Sequence, residues 1–188
     1  DVTNCGPGRL SLQVKEVDGV SYRWYFVDAD GNRGEFTDET EATYTDTFEE
    51  STSLMVTATE NGCESDETII NVTIFDIPSQ PDPQYVVQCG TGLVTFDIPQ
   101  IANAEFYNWY DENNQEKLED ASEEEGFQIE VSEARTYNFY VASVSANDCE
   151  SERRIVTAEI FTIPAKPELE SQSNTCEPEG MVNATVQA

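Results

Sequence analysis

Tyr22-Arg23-Trp24-Tyr25 and its echo Tyr107-Asn108-Trp109-Tyr110 decide how this chain folds. These hold the only two tryptophans, 85 positions apart, and each sits among aromatics in a short alternating run. A tryptophan so placed, between an alternating Leu/Val strand and a turn, is what a β-sandwich uses to fill the space between two facing sheets. Trp24 and Trp109, with Tyr22 and Tyr107, are therefore the expected core.

Working outward, other landmarks recur in the same order. Asn61-Gly62-Cys63-Glu64-Ser65 matches Asn147-Asp148-Cys149-Glu150-Ser151, and Ile74-Phe75-Asp76-Ile77-Pro78 matches Ile160-Phe161-Thr162-Ile163-Pro164. Cys5-Gly6-Pro7-Gly8 matches Cys89-Gly90-Thr91-Gly92, and Cys176 opens a third copy. Near-constant spacing of ordered landmarks is the mark of a tandem array. The expected domains are 1–78, a repeat lacking most of its first strand; 79–164, a complete repeat; and 165–188, the first strands of a third. On this reading the chain is a window on a longer protein.

About 85 residues per repeat suffices for a seven-stranded sandwich. Nine Lys and Arg against 38 Asp and Glu give a net charge of −29, which disfavours nucleic acid, since binding phosphate requires a basic surface. No apolar run approaches the roughly 20 residues that span a bilayer, so no membrane insertion is expected in this segment. Five cysteines at repeat-locked positions and no histidine read as disulfides rather than metal ligands or nucleophiles, which implies an extracellular or periplasmic location.

In the first repeat Leu10, Leu12 and Val14 alternate; Asp18-Gly19 turns the chain into a strand with Val20, Tyr22, Trp24 and Phe26 on one face. Residues 28–32 form the next turn, and Tyr44 and Phe48 anchor the acidic stretch that follows. Leu54, Val56 and Ala58 lead to an Asn61-Gly62 hairpin, and Ile70, Val72 and Ile74 complete the repeat. The second repeat offers Val94, Phe96 and Ile98; Tyr107 and Trp109; Tyr140, Ala142 and Val144; and Val156, Ala158 and Ile160. Short proline-bearing links, residues 77–83 and 163–167, stiffen the joints. The expected fold is all-β: tandem sandwiches arranged end to end.

Together, the Cys-x-x-Gly start, the Tyr-x-Trp-Tyr strand, the Asn-Gly-Cys-Glu-Ser hairpin and the Pro-x-x-Pro junction resemble the immunoglobulin-like repeats of large secreted surface proteins of Bacteroidota. The likeness is to gliding-motility adhesins and related cell-surface adhesins exported by the type IX route, and it covers essentially the whole chain. It implies a cell-surface location and neighbouring immunoglobulin-like repeats of the same chain as partners, with surface polysaccharide or other cells beyond them. The second repeat departs from the pattern where Asn147-Asp148 replaces Asn61-Gly62, a change expected to loosen that hairpin.

Two cysteine pairings follow. The simpler joins Cys5 to Cys63 and Cys89 to Cys149 within each repeat. The topology implied by the resemblance separates those partners by roughly 40 Å of strand rise and brings Cys5 towards Cys149 instead. Cys89 then reaches a following repeat and Cys63 a preceding one. Both pairings stand on the sequence.

Chemistry is sparse. Without histidine there is no Ser-His-Asp or Cys-His arrangement, and no carboxylate stands alone in apolar surroundings as a raised pKa requires. No catalytic residues and no cofactor are expected. Residues 28–50 carry nine acids and one base, and residues 111–126 eight acids and one base. These stretches read first as solvated surface. A calcium ion is the alternative, with Asp28, Asp30 and Asn32 as oxygen ligands around a turn. Tyr25 and Tyr110 are candidates for stacking on a sugar ring. Two functions then compete: a stiff, non-catalytic spacer in a surface adhesin or filament, serving adhesion or gliding, or accessory immunoglobulin-like or carbohydrate-binding domains of a secreted polysaccharide hydrolase.

Overall fold

The computed structural model describes residues 1–121, 126–169 and 186–187. Cys176, most of the expected third repeat and the acidic run 122–125 lie outside the described residues.

The first unit is built from β1 (Val2–Cys5), β2 (Gly8–Gln13), β3 (Ser21–Val27), β4 (Arg33–Phe36), β5 (Thr43–Phe48), β6 (Thr52–Glu60), β7 (Cys63–Glu64) and β8 (Thr68–Phe75). One sheet runs β1-β8-β6-β3-β4 with β7 on β6; the pair β2-β5 faces it. The alternation in the sequence becomes the core between them. Leu12, Tyr44 and Phe48 from the small sheet meet Trp24, Leu54, Val56 and Val72 from the large one. Trp24 is fully buried, stacks on Tyr44 with ring centroids 5.6 Å apart, and donates its indole N–H to the Glu41 carbonyl at 3.0 Å.

The second unit repeats the plan with β9 (Tyr85–Cys89), β10 (Gly92–Phe96), β11 (Phe106–Tyr110), β12 (Lys117–Ala121), β13 (Phe127–Val131), β14 (Thr136–Val144) and β15 (Arg154–Phe161). Its large sheet is β12-β11-β14-β15-β9, and β10-β13 faces it. Trp109 stacks on Phe127 at 4.4 Å and lies near Phe96. A last short antiparallel pair joins β16 (Glu168–Leu169) to β17 (Val186–Gln187). This is the all-β immunoglobulin-like sandwich that the alternation predicts, with no helix among the described residues.

Tyr22 and Tyr107 are buried, and each hydroxyl ties its sheet to the opposing chain: Tyr22 donates to the Lys15 carbonyl and accepts from the Val17 amide, and Tyr107 donates to the Pro99 carbonyl.

Two expectations change. The first repeat keeps its opening strand. β1 pairs in parallel with β8, as β9 does with β15, and is one residue shorter than β9. The core face of β14 is Tyr137, Phe139 and Val141, not Tyr140, Ala142 and Val144. Val56 pairs with Trp24, and Val141 with Trp109, an offset of 85, whereas the cysteines of the following hairpins are offset by 86. The second hairpin holds one extra residue, and a one-residue slip exchanges the two faces of a strand.

That extra residue also settles the turn. Asn61 and Gly62 both have positive φ, 52° and 82°, the two-residue turn expected of Asn-Gly. In the second unit the Asp148 amide donates to the Ser145 carbonyl, Ser145 N–H donates to the Cys149 carbonyl, and Asp148 takes φ 60°. This is a three-residue loop closed by a left-handed residue. The hairpin is differently built rather than loosened.

Candidate functional site

The feature of the molecule with the most consequence is the joint between the units. β1 runs parallel to β8 with Cys5 opposite Phe75, so Cys5 lies at the end of the sheet from which the chain leaves the first unit. Cys63, in the hairpin between β6 and β8, lies at the other end. Eight residues of β8 at about 3.3 Å each keep those two sulfurs far beyond the reach of a disulfide. Cys5 is bonded instead to Cys149 of the second unit, with Cα atoms 5.4 Å apart.

Several residues of the repeated motifs have a task here. The glycine after each first-strand cysteine has positive φ and donates its N–H to the end of the last strand: Gly6 to Phe75 and Gly90 to Phe161, both at 2.8 Å. A Cβ on Gly6 would stand 2.8 Å from Ile77 Cδ1, so the isoleucine of the junction lies directly over the bare backbone. The serine after each hairpin cysteine closes the hairpin. Ser151 Oγ accepts from the Ser143 amide at 3.1 Å, and Ser65 Oγ accepts from the Ala58 amide at 3.0 Å. Ser145 Oγ accepts from the Asn147 and Cys149 amides, which sets the position of the fully buried Cys149. Pro78 and Pro81 are buried in the joint, and Ser143 Oγ donates to the Ser79 carbonyl at 2.5 Å. An open cleft of about 370 Å³ remains between Ile74, Phe75 and Asp76 on one side and Asn103, Ser145, Ala146 and Asn147 on the other.

The glutamate between cysteine and serine organises a second cluster. Tyr110 donates to the Glu150 carboxylate at 2.7–2.8 Å and Asn108 Nδ2 donates at 2.9 Å. Arg153 pairs with the same carboxylate at 3.2 Å and lies 3.3 Å above the Tyr110 ring. Burial acts to raise the Glu150 pKa, but the hydrogen bonds from Tyr110, Asn108 and Arg153 together hold it below the ordinary carboxylate value. Burial and the Glu150 contact push the Tyr110 hydroxyl up. In the first unit Arg33 takes the arginine's part from β4, pairing with Glu64 at 2.8 Å and Glu67 at 3.0 Å over the Tyr25 ring.

These clusters engage the two tyrosines expected to stack on a sugar. Tyr25 is 9% exposed and Tyr110 5%, and an arginine covers a face of each ring. Neither offers the open aromatic face that a sugar requires.

The family model described as "Ig-like domain CHU_C associated" matches residues 1–75 and again residues 78–161. The chain belongs to that Ig-like family. No curated protein matches it. Among solved structures, it is similar to fibronectin(III)-like modules of CbhA from Clostridium thermocellum, at 15% identity and TM-score 0.49 over 86% of this chain and 90% of that one. It is also similar to the FN1-FN3 domains of chicken CNTN1, at 13% identity and TM-score 0.47 over 86% of this chain and 66% of that one. A third is the N-terminal four-Ig-domain portion of Dscam1 isoform 6.9, at 14% identity and TM-score 0.37 over 86% of this chain; this chain spans 43% of that one.

The acidic turns of these Ig-like units are closed by their own backbone. Asp28 Oδ1 accepts from the Asp30 and Asn32 amides at 3.0 and 2.8 Å. Asp111 Oδ1 accepts from the Gln115 and Glu116 amides, and the Gln115 contact leads in lowering its pKa. Asp28 therefore spends that oxygen on its turn, the ordinary use of an Asx residue. Among the described residues no three Cys, Asp or Glu stand close enough to hold a metal ion. Among the described residues there is no helix long and apolar enough to cross a membrane.

Proposed function

We propose that this chain is a non-catalytic spacer of an extracellular bacterial surface fibre, of the kind found in adhesins of gliding Bacteroidota, and that its task is to hold a fixed reach under pull. Ig-like units of this sort serve as structural or accessory domains, and a disulfide is in keeping with an extracellular setting. The observation that carries the reading is the bond from Cys5 to Cys149, which crosses between units rather than closing either one. A disulfide serving only the stability of a single sandwich has no reason to do so. Buried Pro78 and Pro81 and the Ser143–Ser79 hydrogen bond add stiffness at the same place. The net charge of −29 keeps neighbouring fibres apart until salt screens them.

The test combines small-angle scattering of the oxidised chain with assays of hydrolysis and glycan binding. An elongated, inert molecule is expected. Cleavage of a polysaccharide, or saturable binding of a glycan, would replace the spacer with an enzyme or a carbohydrate-binding module.

A further inference from the structure

The joint has two halves, and among the described residues each half recurs without a partner. The lower half, in the first unit, consists of Cys5, Gly6, Phe75, Ile77 and the buried Pro78; its counterpart in the second unit is Cys89, Gly90, Phe161, Ile163 and Pro164. The geometry is reproduced: Gly90 donates to Phe161, and a Cβ on Gly90 would stand 2.7 Å from Ile163 Cδ1. What differs is cover. Ile77 is 47% exposed and Ile163 70%; Pro78 is buried and Pro164 exposed; Cys5 is bonded and Cys89 is an exposed thiol.

The upper half shows the same contrast. In the second unit Ser143, Cys149 and Ser151 are buried beneath the incoming link. Their counterparts in the first unit, Ala58, Cys63 and Ser65, line an open cleft of about 320 Å³ with Val20, Glu60 and Glu64, and Cys63 is an exposed thiol. The Ser65 bracket that sets the hairpin is already formed.

From this repetition we infer that Cys63 and Cys89 are docking points for further Ig-like units of the same family, each closed by a disulfide. The bond at Cys89 runs to the hairpin cysteine of a following unit, and the bond at Cys63 to the first-strand cysteine of a preceding one. The occupant is specified by the internal precedent, a complete joint made from equivalent residues in the same chain. Each bond forms by thiol–disulfide exchange. Two cysteine thiols give up two protons and two electrons, and a disulfide oxidant such as oxidised glutathione accepts both and leaves as two thiols.

The inference deepens the spacer reading and rests on it, because it turns one staple into a ladder. Pull then passes across each disulfide, and the residues inside each closed loop are kept from extending.

The test inserts a second copy of residues 79–164, carrying V87I and E152D so that its cysteine peptides differ in mass, directly after Pro164 of the full chain. The product is folded in oxidised and reduced glutathione, and its disulfides are mapped by non-reducing proteolysis and mass spectrometry. The expected map keeps Cys5–Cys149 and adds a bond from Cys89 to Cys149 of the inserted copy. Alkylation of Cys89 falls by roughly tenfold or more relative to the present chain. A second chain, with residues 79–170 placed ahead of Asp1, is expected to bond Cys89 of the added copy to Cys63. Tryptophan emission reports folding in both. A folded first chain whose original Cys89 stays reactive, or a folded second chain whose Cys63 does, overturns the inference, as does a bond that closes either cysteine within one unit. Scattering on the same samples separates the two readings. A rod without the new bonds sinks the ladder and leaves the spacer, whereas a stapled but folded-back molecule supports the joint and sinks the spacer.

Discussion

Cys5 and Cys149 stand 144 positions apart in the chain, yet their Cα atoms are 5.4 Å apart, across the boundary between two separately cored sandwiches. The nominal loop overstates the constraint, because β1 already holds Cys5 beside Phe75 while the first unit is folded. When the second unit alone unfolds, the disulfide closes a loop of roughly 70 residues, which corresponds to about 4 kcal/mol in the chain-entropy picture.

The second unit is therefore expected to lose about 3–4 kcal/mol on reduction or in C149S. Denaturant titration followed by tryptophan emission, with and without reductant, checks this. The free thiols Cys63 and Cys89 give an internal control, since C63S and C89S leave the midpoint where it is.

Glu150 provides a pH signature. Its folded pKa lies below its ordinary value of 4.5, so its contribution is present above that value and is lost as pH falls through the lower, folded one. E150Q is expected to cost about 1–2 kcal/mol at pH 7, since it weakens charge-assisted bonds from Tyr110, Asn108 and Arg153. Near-coincidence of wild type and E150Q is expected once the pH is well below 4.5. Denaturation midpoints across that range are the measurement, and an equal gap at every pH contradicts the assignment.

How far the sequence could be read depended on how local each signal was. Both tryptophan strands and the partners Tyr44 and Phe48 follow from alternation within a few residues, and the repeat offsets show the modularity directly. The face of β14 departs from the spacing of the cysteine landmarks because the second hairpin holds its extra residue, in Ser145-Ala146-Asn147-Asp148, between that strand and Cys149. The Tyr–Glu–Arg cluster was missed because its arginine comes from β4 in one unit and from beyond the hairpin in the other. Only Tyr25/Tyr110 and Glu64/Glu150 recur at equivalent places, and those recurrences were the available signal. The cysteine pairing stayed open because it depends on which end of a sheet each cysteine occupies, which spacing alone does not state.

Asp148 occupies the left-handed region at φ 60°, where glycine has no Cβ to strain. D148G is expected to leave the Cys5–Cys149 bond intact and to stabilise the second unit by about 0.5–1 kcal/mol. Thermal denaturation alongside disulfide mapping tests both parts. A destabilised D148G contradicts the three-residue loop.

Ser151 holds the hairpin closed through the Ser143 amide, in a position where Ser143 is fully buried. S151A leaves that donor unpaired and is expected to cost about 1–3 kcal/mol. It should also raise the reducibility of the Cys5–Cys149 bond, which titration against a glutathione redox buffer reads directly.

The inter-unit disulfide keeps the residues between Cys5 and Cys149 from extending under pull, and single-molecule extension of the chain held by its two termini measures this. In the oxidised molecule residues 6–148 lie inside the loop closed by Cys5 and Cys149 and are predicted not to extend. On reduction the same pull should unfold both sandwiches and release about 500 Å of additional contour length, at about 3.5 Å per residue. Release of that length from the oxidised chain, or no difference between oxidised and reduced molecules, would show that the disulfide does not restrain the chain under pull.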